Sequence, residues 1–213
     1  RKDLQPFFYE AMVKNWLCLA SPVLSNMGTE RGLPISCYGI DVDDSVEGIA
    51  SANSELMRLS SQGGGVGMSL SRIRGRGARI KDNGVSEGII PWAKIYDSTI
   101  LATNQGSVRR GAASFNLDIN HPDIEEFVTV KRDGEKLRMF NLSVGITEKF
   151  IKAVQNNEKW ELVFDSKVYK TIKAAELWDL IMKSTYDFAE PGCILIDKIN
   201  KMNTLYYCEQ IRA

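Results

Sequence analysis

Histidine is almost missing from this 213-residue chain: His121 stands alone, so a metal site built on imidazoles has no second ligand. Cysteine is scarce as well. Cys18, Cys37, Cys193 and Cys208 show no CxxC spacing and follow no secretory signal, which argues against both a disulfide scaffold and a zinc site. An excess of either charge is lacking too. The 27 Lys and Arg balance the 27 Asp and Glu, and zero net charge gives no bulk attraction to a nucleic acid polymer or an anionic membrane. No apolar run reaches the ~18 residues of a membrane span. The opening RKDLQPFFYEAMVKNW has an amphipathic helix pattern, unlike a targeting segment, so a cytoplasmic protein is expected. Repeats, low-complexity tracts and linkers are absent, which leaves one domain over residues 1–213.

What is present, 44% apolar and 25% charged residues, is ordinary globular composition in which strand and helix patterns alternate. Residues 6–20 repeat apolar groups at helical spacing and would take Cys18 into the packing. ISCYGI (35–40) reads as a strand, after which Asp44 and Glu47 form a capping-box pair opening a helix. GVGMSLS (65–71) is a second strand, RIRGRGARIKDNG (72–84) a long basic loop and IIPWAKIYDSTILAT (89–103) a helix. AASFNLDI (112–119) is a third strand, and NHPDIEEFVTVKR (120–132) a helix capped by Asn120 with Pro122 in its first turn. MFNLSVGI (139–146) is a fourth, with Thr147 capping the next helix. WELVF (160–164) is an accessory strand, AAELWDLIMKSTYDFAE (174–190) a helix, and CILID (193–197) a fifth main strand holding Cys193 as a small buried group. Such alternation favours parallel pairing through right-handed crossovers, so the expected fold is α/β with five parallel βα units. An open sheet of that kind has edges that need covering.

Several stretches can carry chemistry. SQGGGVG (61–67) lacks the Gly-Lys-Ser/Thr ending of a phosphate loop and the GxGxxG spacing of a dinucleotide fold. Its glycines either turn the chain into a strand or let a ligand approach the backbone closely. RIRGRGARIK (72–81) gathers Arg72, Arg74, Arg76, Arg79 and Lys81 among small residues, as a solvated loop or as a triphosphate cradle. ATNQGSVRRGAAS (102–114) supplies Gln105, Arg109 and Arg110 for a base or phosphate. Two basic loops at strand ends favour a nucleotide, since parallel sheets bind ligands at their carboxyl ends. His121 suits a local structural role, and DVDD (41–44) suits helix capping better than a cation. Cys37 is either a buried filler or a redox thiol, and Cys208 either reactive or incidental.

Four ordered stretches, SPVLSNMGTERGLPISCYG, SSQGGGVGMSLSRIRGRG, NQGSVRRGAASFNLDINHPDIEEF and EPGCILIDKIN, resemble the large catalytic subunit of ribonucleotide reductase. The resemblance runs from about residue 15 to 213. It implies a ten-stranded α/β barrel of two halves, with this chain as the first. It also implies reduction of ribonucleotides to deoxyribonucleotides. A cysteine radical, generated through a di-metal partner subunit or adenosylcobalamin, removes the ribose 3′-hydrogen; two further cysteines reduce the 2′-carbon and become a disulfide. Cys37 matches the first of those reducing cysteines.

By the same resemblance, Ser21 and Ser25 hold the substrate diphosphate, with Ser36 and Gly65 beside the substrate. Asp44, Ser45 and Val46 match the site for the sugar of a deoxynucleoside triphosphate effector, and Arg74 and Lys81 its triphosphate contacts. Gln105 and Arg109 match the loop relaying effector identity to the substrate base. The family's radical cysteine sits in an Asn-x-Cys-x-Glu motif expected just beyond EQIRA. NTLYYCEQ lacks the Asn two places before its cysteine, so the radical role is not carried onto Cys208. The chain itself is expected to bind no metal or cofactor directly. Expected partners are a complementary C-terminal half (from a divided gene or an intein-interrupted chain), a second copy in a homodimer, a radical-generating subunit and a thioredoxin- or glutaredoxin-type reductant. The competing expectation is a nucleotide-binding regulatory module or inactive fragment without chemistry of its own.

Overall fold

Alternation within each strand decides the architecture. The computed structural model describes residues 1–30, 32–81, 83–103, 112–133 and 136–212. The main sheet takes up β1 (Cys37–Asp41), β2 (Gly65–Ser69), β3 (Ala112–Asp118) and β4 (Phe140–Ile146). The chain then forms an antiparallel hairpin, β5 (Lys159–Phe164) and β6 (Lys167–Lys173), and returns to the sheet as β7 (Gly192–Leu195). The spatial order is β1-β2-β3-β4-β7, all parallel. Each strand is laid beside the previous one, so right-handed crossovers bring every connecting helix to the same face.

That face is apolar. Ile40, Val66, Met68, Ala113, Phe115, Leu117, Leu142 and Val144 alternate along the strands and are buried in one continuous core. Over them pack α3 (Val46–Ser61) and α4 (Ile90–Thr103), then α5 (Ile124–Thr129), α6 (Glu148–Gln155) and α7 (Ala174–Phe188). Phe115 and Phe140 stack with centroids 3.7 Å apart, and Tyr96 donates its hydroxyl to Ile49 O (3.1 Å). Burial pushes the Tyr96 pKa above its ordinary value.

The opposite face has the complementary parity and another chemistry. Gly39, Gly67, Ser114 and Asn141 form one row in register, and Asp41, Ser69, Asn116, Ser143 and Gly192 the next. No connecting helix covers this small, polar face, the geometry of a half-barrel seen from inside. Ser69 Oγ and Asn116 Oδ1 are buried there without a hydrogen-bond partner among the described residues.

Several local expectations change. The first helix, α1 (Gln5–Val13), ends well before Cys18, which is exposed in an irregular segment. A short α2 (Ser21–Asn26) follows that the apolar pattern did not announce. The cap of α3 is Ser45, not Asp44: Ser45 is extended and its Oγ accepts the Gly48 N–H (2.9 Å), while Asp44 turns to an arginine. Asn120 caps nothing, because α5 starts only at Ile124; Asn120 instead accepts Val163 N–H through its carbonyl (2.7 Å), fixing the hairpin to the sheet. Thr147 caps α6 as expected, accepting Phe150 N–H (3.2 Å). The fifth main strand stops at Leu195 and gives way to α8 (Ile196–Lys201). Cys193 is exposed on that edge strand, although surrounding protein still desolvates its thiol enough to push the pKa up. No helix among the described residues is long and apolar enough to cross a membrane.

Candidate functional site

The expected site residues separate into two groups at opposite ends of β1 and β2. At the amino edge, Cys37 and Gly65 are register partners, and Gly65 N–H donates to Ser36 O (2.7 Å). Cys37 is exposed, not buried filler, and lies on the same parity as the small, polar inner face. A side chain at Gly65 would crowd this edge: its Cβ would stand 3.3 Å from Ser36 O and 4.0 Å from Cys37 Sγ. The glycine therefore keeps open the space next to the thiol. Gly64 has a different duty, since a Cβ there would meet Tyr38 Cε2 at 2.7 Å.

Ser21 and Ser25 sit exposed on α2. The neighbouring Asn26 donates Nδ2–H to Leu33 O (3.0 Å), tying this helix to the segment that leads into Cys37. A Cβ on Gly32 would stand 3.4 Å from both that amide nitrogen and Gln62 O, so the glycine turn before β2 lies against the same join. Ser36, Cys37 and Gly65 are thus brought together, with the short helix of Ser21 and Ser25 fastened nearby. Gln105 and Arg109 lie outside the described residues. Ala112, which follows that stretch in sequence, pairs with Gly65, so the second basic stretch leads into the amino edge rather than the carboxyl ends.

The other group occupies the carboxyl ends. Arg74 Nε donates to Asp44 Oδ2 (2.8 Å), the Arg74 N–H donates to Asp44 Oδ1 (3.1 Å), and Arg74 Nη1 donates to Arg79 O (2.8 Å). Both expected effector contacts are therefore engaged with each other, as a prebuilt frame. Next to it Ser45 caps α3 and Val46 is exposed in its first turn. Arg72 bridges Asp41 (3.3 Å) and Asp43 (2.6 Å), and Arg76 bridges Glu87 (2.7 Å) and Glu126 (3.1 Å). Hydrogen bonding to Glu126, then its charge, holds the Arg76 pKa above its ordinary value. The basic loop is thus largely neutralised at its base. Farther out, the exposed Arg79 guanidinium and Lys81 ammonium have no ion pair among the described residues and stand open to an anionic ligand.

A cleft of about 860 Å³ also opens at the carboxyl ends, lined by Asp41, Arg72, Asp118, Lys149, Asp197 and Arg212 among others. Burial, opposed by a hydrogen bond from Ser71, raises the Asp118 pKa, with the Asp41 charge adding to the rise. Among the described residues no group of three or more His, Cys, Asp or Glu side chains stands together as a metal site. His121 has the local role expected of it, holding backbone groups beneath the basic loop.

The family description "Ribonucleotide reductase, barrel domain" matches residues 35–213, which include Ser36, Cys37, Gly65, the carboxyl-end group and the whole parallel sheet, but not Ser21 and Ser25. The chain belongs to the ribonucleotide reductase family. Among its relatives is a "Vitamin B12-dependent ribonucleoside-diphosphate reductase" of Mycobacterium tuberculosis, 37% identical over 86% of this chain and 27% of the relative. One of the same name from Thermoplasma acidophilum is 38% identical over 86% of this chain and 24% of its own length. A "Ribonucleoside-diphosphate reductase subunit alpha" from Synechocystis is 33% identical over 84% and 24%. The chain thus spans about a quarter of the length of these relatives. The five-stranded parallel sheet is that of the first half of a reductase barrel.

Composition and motif reading missed the inner face of the sheet. Ser69, Ser114, Asn116, Asn141 and Ser143 escaped notice because a lone Ser or Asn in a strand signals no chemistry, even inside the quoted stretches that hold Ser69, Ser114 and Asn116. The signal was period two: CYGID, GVGMS and FNLSVGI each alternate small or polar residues with apolar ones, unlike a parallel strand buried in apolar surroundings on both faces.

Proposed function

We propose that this chain is the first barrel half of a ribonucleotide reductase catalytic subunit, and that Cys37 is a reductant in the conversion of ribonucleotides to deoxyribonucleotides. The observation that carries the reading is the exposed Cys37 thiol beside Gly65, at the edge of a face lined by small and polar groups. A sugar can approach the sulfur there because Gly65 has no side chain. In the reaction, the 2′-hydroxyl leaves as water while two thiols become one disulfide, supplying the two electrons and two protons. Cys37 is one thiol; its partner and the radical cysteine come from sequence outside residues 1–213. A free thiol suits exchange with a thioredoxin- or glutaredoxin-type reductant that reopens the disulfide.

The remaining barrel half, from the same or another polypeptide, covers the inner face and the two sheet edges. The buried, unpartnered Ser69 Oγ and Asn116 Oδ1 support this, since polar atoms left so are costly. The assembled subunit is a cytoplasmic enzyme that pairs with a second copy. Cobalamin is favoured as radical source over a di-metal subunit by the names of the Mycobacterium and Thermoplasma relatives. Ser21, Ser25 and Ser36 bind the substrate. Asp44, Ser45, Val46, Arg74 and Lys81 bind a deoxynucleoside triphosphate effector, whose identity is relayed through Gln105 and Arg109.

The test is Cys37→Ser in the assembled subunit. Multiple turnover should be lost while effector affinity stays within about twofold, since the substitution lies at the other end of the strands. Full turnover in that variant removes Cys37 from the mechanism.

A further inference from the structure

The loop carrying Arg74 and Lys81 is gripped from below by three consecutive residues that the functional reading leaves unused. The Asp123 carboxylate, 5% exposed, accepts Arg76 N–H on Oδ1 (2.8 Å) and Ile89 N–H on Oδ2 (3.0 Å). One carboxylate therefore closes both ends of segment 76–89. His121, 2% exposed, accepts Asp123 N–H on Nδ1 (3.1 Å), which leaves Nε2–H to donate to Ile73 O (2.8 Å). Pro122 fills the remaining space. A Cβ on Gly75 would stand 2.7 Å from Pro122 Cβ, and one on Gly88, at φ +84°, 2.5 Å from Asp123 Oδ2. Residues 73, 75 and 76, on both sides of Arg74, are thus each fixed by one residue of His121-Pro122-Asp123.

Between its pinned ends the segment folds as a ribbon. Gly77 N–H donates to Ser86 O (2.8 Å), Ser86 N–H to Ala78 O (2.8 Å) and Ile80 N–H to Gly84 O (2.9 Å). Its outer part lacks an apolar anchor: Ile80 and Val85 are exposed. The placement of Lys81 at the far end is consequently set by the stem, and the stem by Asp123. Charge-assisted bonds from a buried carboxylate are strong, and closing a loop at its base removes most of its freedom.

We propose that His121-Pro122-Asp123 is a positioning clamp for effector binding, with Asp123 holding the ribbon in the arrangement that presents Arg74 and Lys81 to the triphosphate. The proposal rests on the effector reading of those two residues. It is tested with Asp123→Asn in the assembled subunit, which keeps the shape and one acceptor but turns an amide N–H₂ toward the other N–H donor.

The probe is the tightest binder among dATP, dCTP, dGTP and dTTP, titrated at equilibrium and paired with peptide-resolved amide exchange. Its Kd should rise about tenfold, as for loss of a hydrogen bond to a charged group. Exchange should quicken within residues 74–89 while β2 and β3 keep their protection. A merely structural residue would lower protection in the strands together with the ribbon. If Lys81→Ala weakens binding and Asp123→Asn does not, the clamp is overturned and the effector site stands. If Arg74→Ala and Lys81→Ala both leave Kd unchanged, the effector site falls and the clamp's role with it. Weakened binding with unchanged exchange in the ribbon also overturns the clamp. Should Asp123→Asn fail to fold, His121→Gln, which retains a donor for Ile73 O but releases Asp123 N–H, carries the same expectations, and an unchanged Kd there overturns the proposal.

Discussion

Replacing Gly65 by alanine asks whether substrate truly approaches Cys37 from the glycine side. The added methyl would lie 3.3 Å from Ser36 O, 3.7 Å from Ala112 O and 4.0 Å from Cys37 Sγ. Only the first contact requires a neighbour to yield, by a few tenths of an ångström. Against that small strain, alanine restricts the unfolded chain and returns about 0.4–1 kcal/mol. Folding stability should therefore stay within about 1 kcal/mol of the parent. The same methyl occupies space beside the sulfur that, on the proposed function, a ribose enters, and misplacing reacting atoms by about 1 Å costs on the order of 100-fold. The assay is single-turnover nucleotide reduction by the assembled subunit, run alongside thermal unfolding. Gly64→Ala is the control: its methyl would meet Tyr38 Cε2 at 2.7 Å and Leu59 O at 3.0 Å, an overpacking expected to cost about 1–3 kcal/mol. One variant should lose rate and keep its Tm, and the neighbouring one should lose Tm. Full single-turnover rate in Gly65→Ala at an unchanged Tm would refute the placement of substrate at this edge.

Phe115→Ala, which removes a fully buried ring stacked on Phe140, should lower stability by about 3–5 kcal/mol in urea unfolding. His121 makes stability fall on acidification. Burial, its largest cause, lowers the pKa below the ordinary 6.5, so between the two values the unfolded chain binds more protons and stability is lost as pH drops. Urea midpoints measured below pH 6.5 should show this slope in the parent and lose it in His121→Gln.

The parallel sheet was legible because apolar and glycine-rich stretches mark each strand, and no strand start or end in it moved by more than two residues. Helix caps were less legible. Asp44 and Ser45 are both good capping residues, and choosing between them required knowing that Arg74, thirty positions on, would claim the carboxylate. Asn120 failed for a similar reason, since its carbonyl is taken by the β5–β6 hairpin. β6 itself, KVYKTIK, is mostly exposed and follows the tight Asp165-Ser166 turn, both residues at positive φ, so no apolar periodicity advertised it. Cys18 and Cys193 illustrate the limit of a residue-type rule: cysteine is commonly buried, yet both are exposed here. Gly65 was legible only as part of a glycine run. Its separate role appears once register places it opposite Cys37, whereas Gly64 is spoken for by Tyr38.

The two groups of site residues are separated by the length of a five-residue strand, ~16 Å at 3.3 Å per residue, and a hydrogen-bonded sheet will not shorten. On the proposed function, communication between them would pass beside the sheet, and two helices run that way. α3 leaves Ser45, next to the Asp44–Arg74 pair, and ends at Ser61 before the glycine turn into Gly65. α4 leaves the clamped end of the basic ribbon at Ile89 and Ile90 and ends at Thr103. The helices are joined along their length, by Tyr96 to the Ile49 carbonyl and Thr99 to Asn53 (2.8 Å), and at their far ends by Ser60 and Thr103 hydroxyls 3.1 Å apart. On the proposed reading, a triphosphate that shifts the ribbon or Asp44 acts on the start of one or both helices. Their packed, hydrogen-bonded lengths deliver the displacement to the edge where Cys37 stands. Such a lever discriminates between effectors only as far as each favours a different ribbon position. On that reading the stem under Arg74, rather than the sheet, is the place where specificity would be decided.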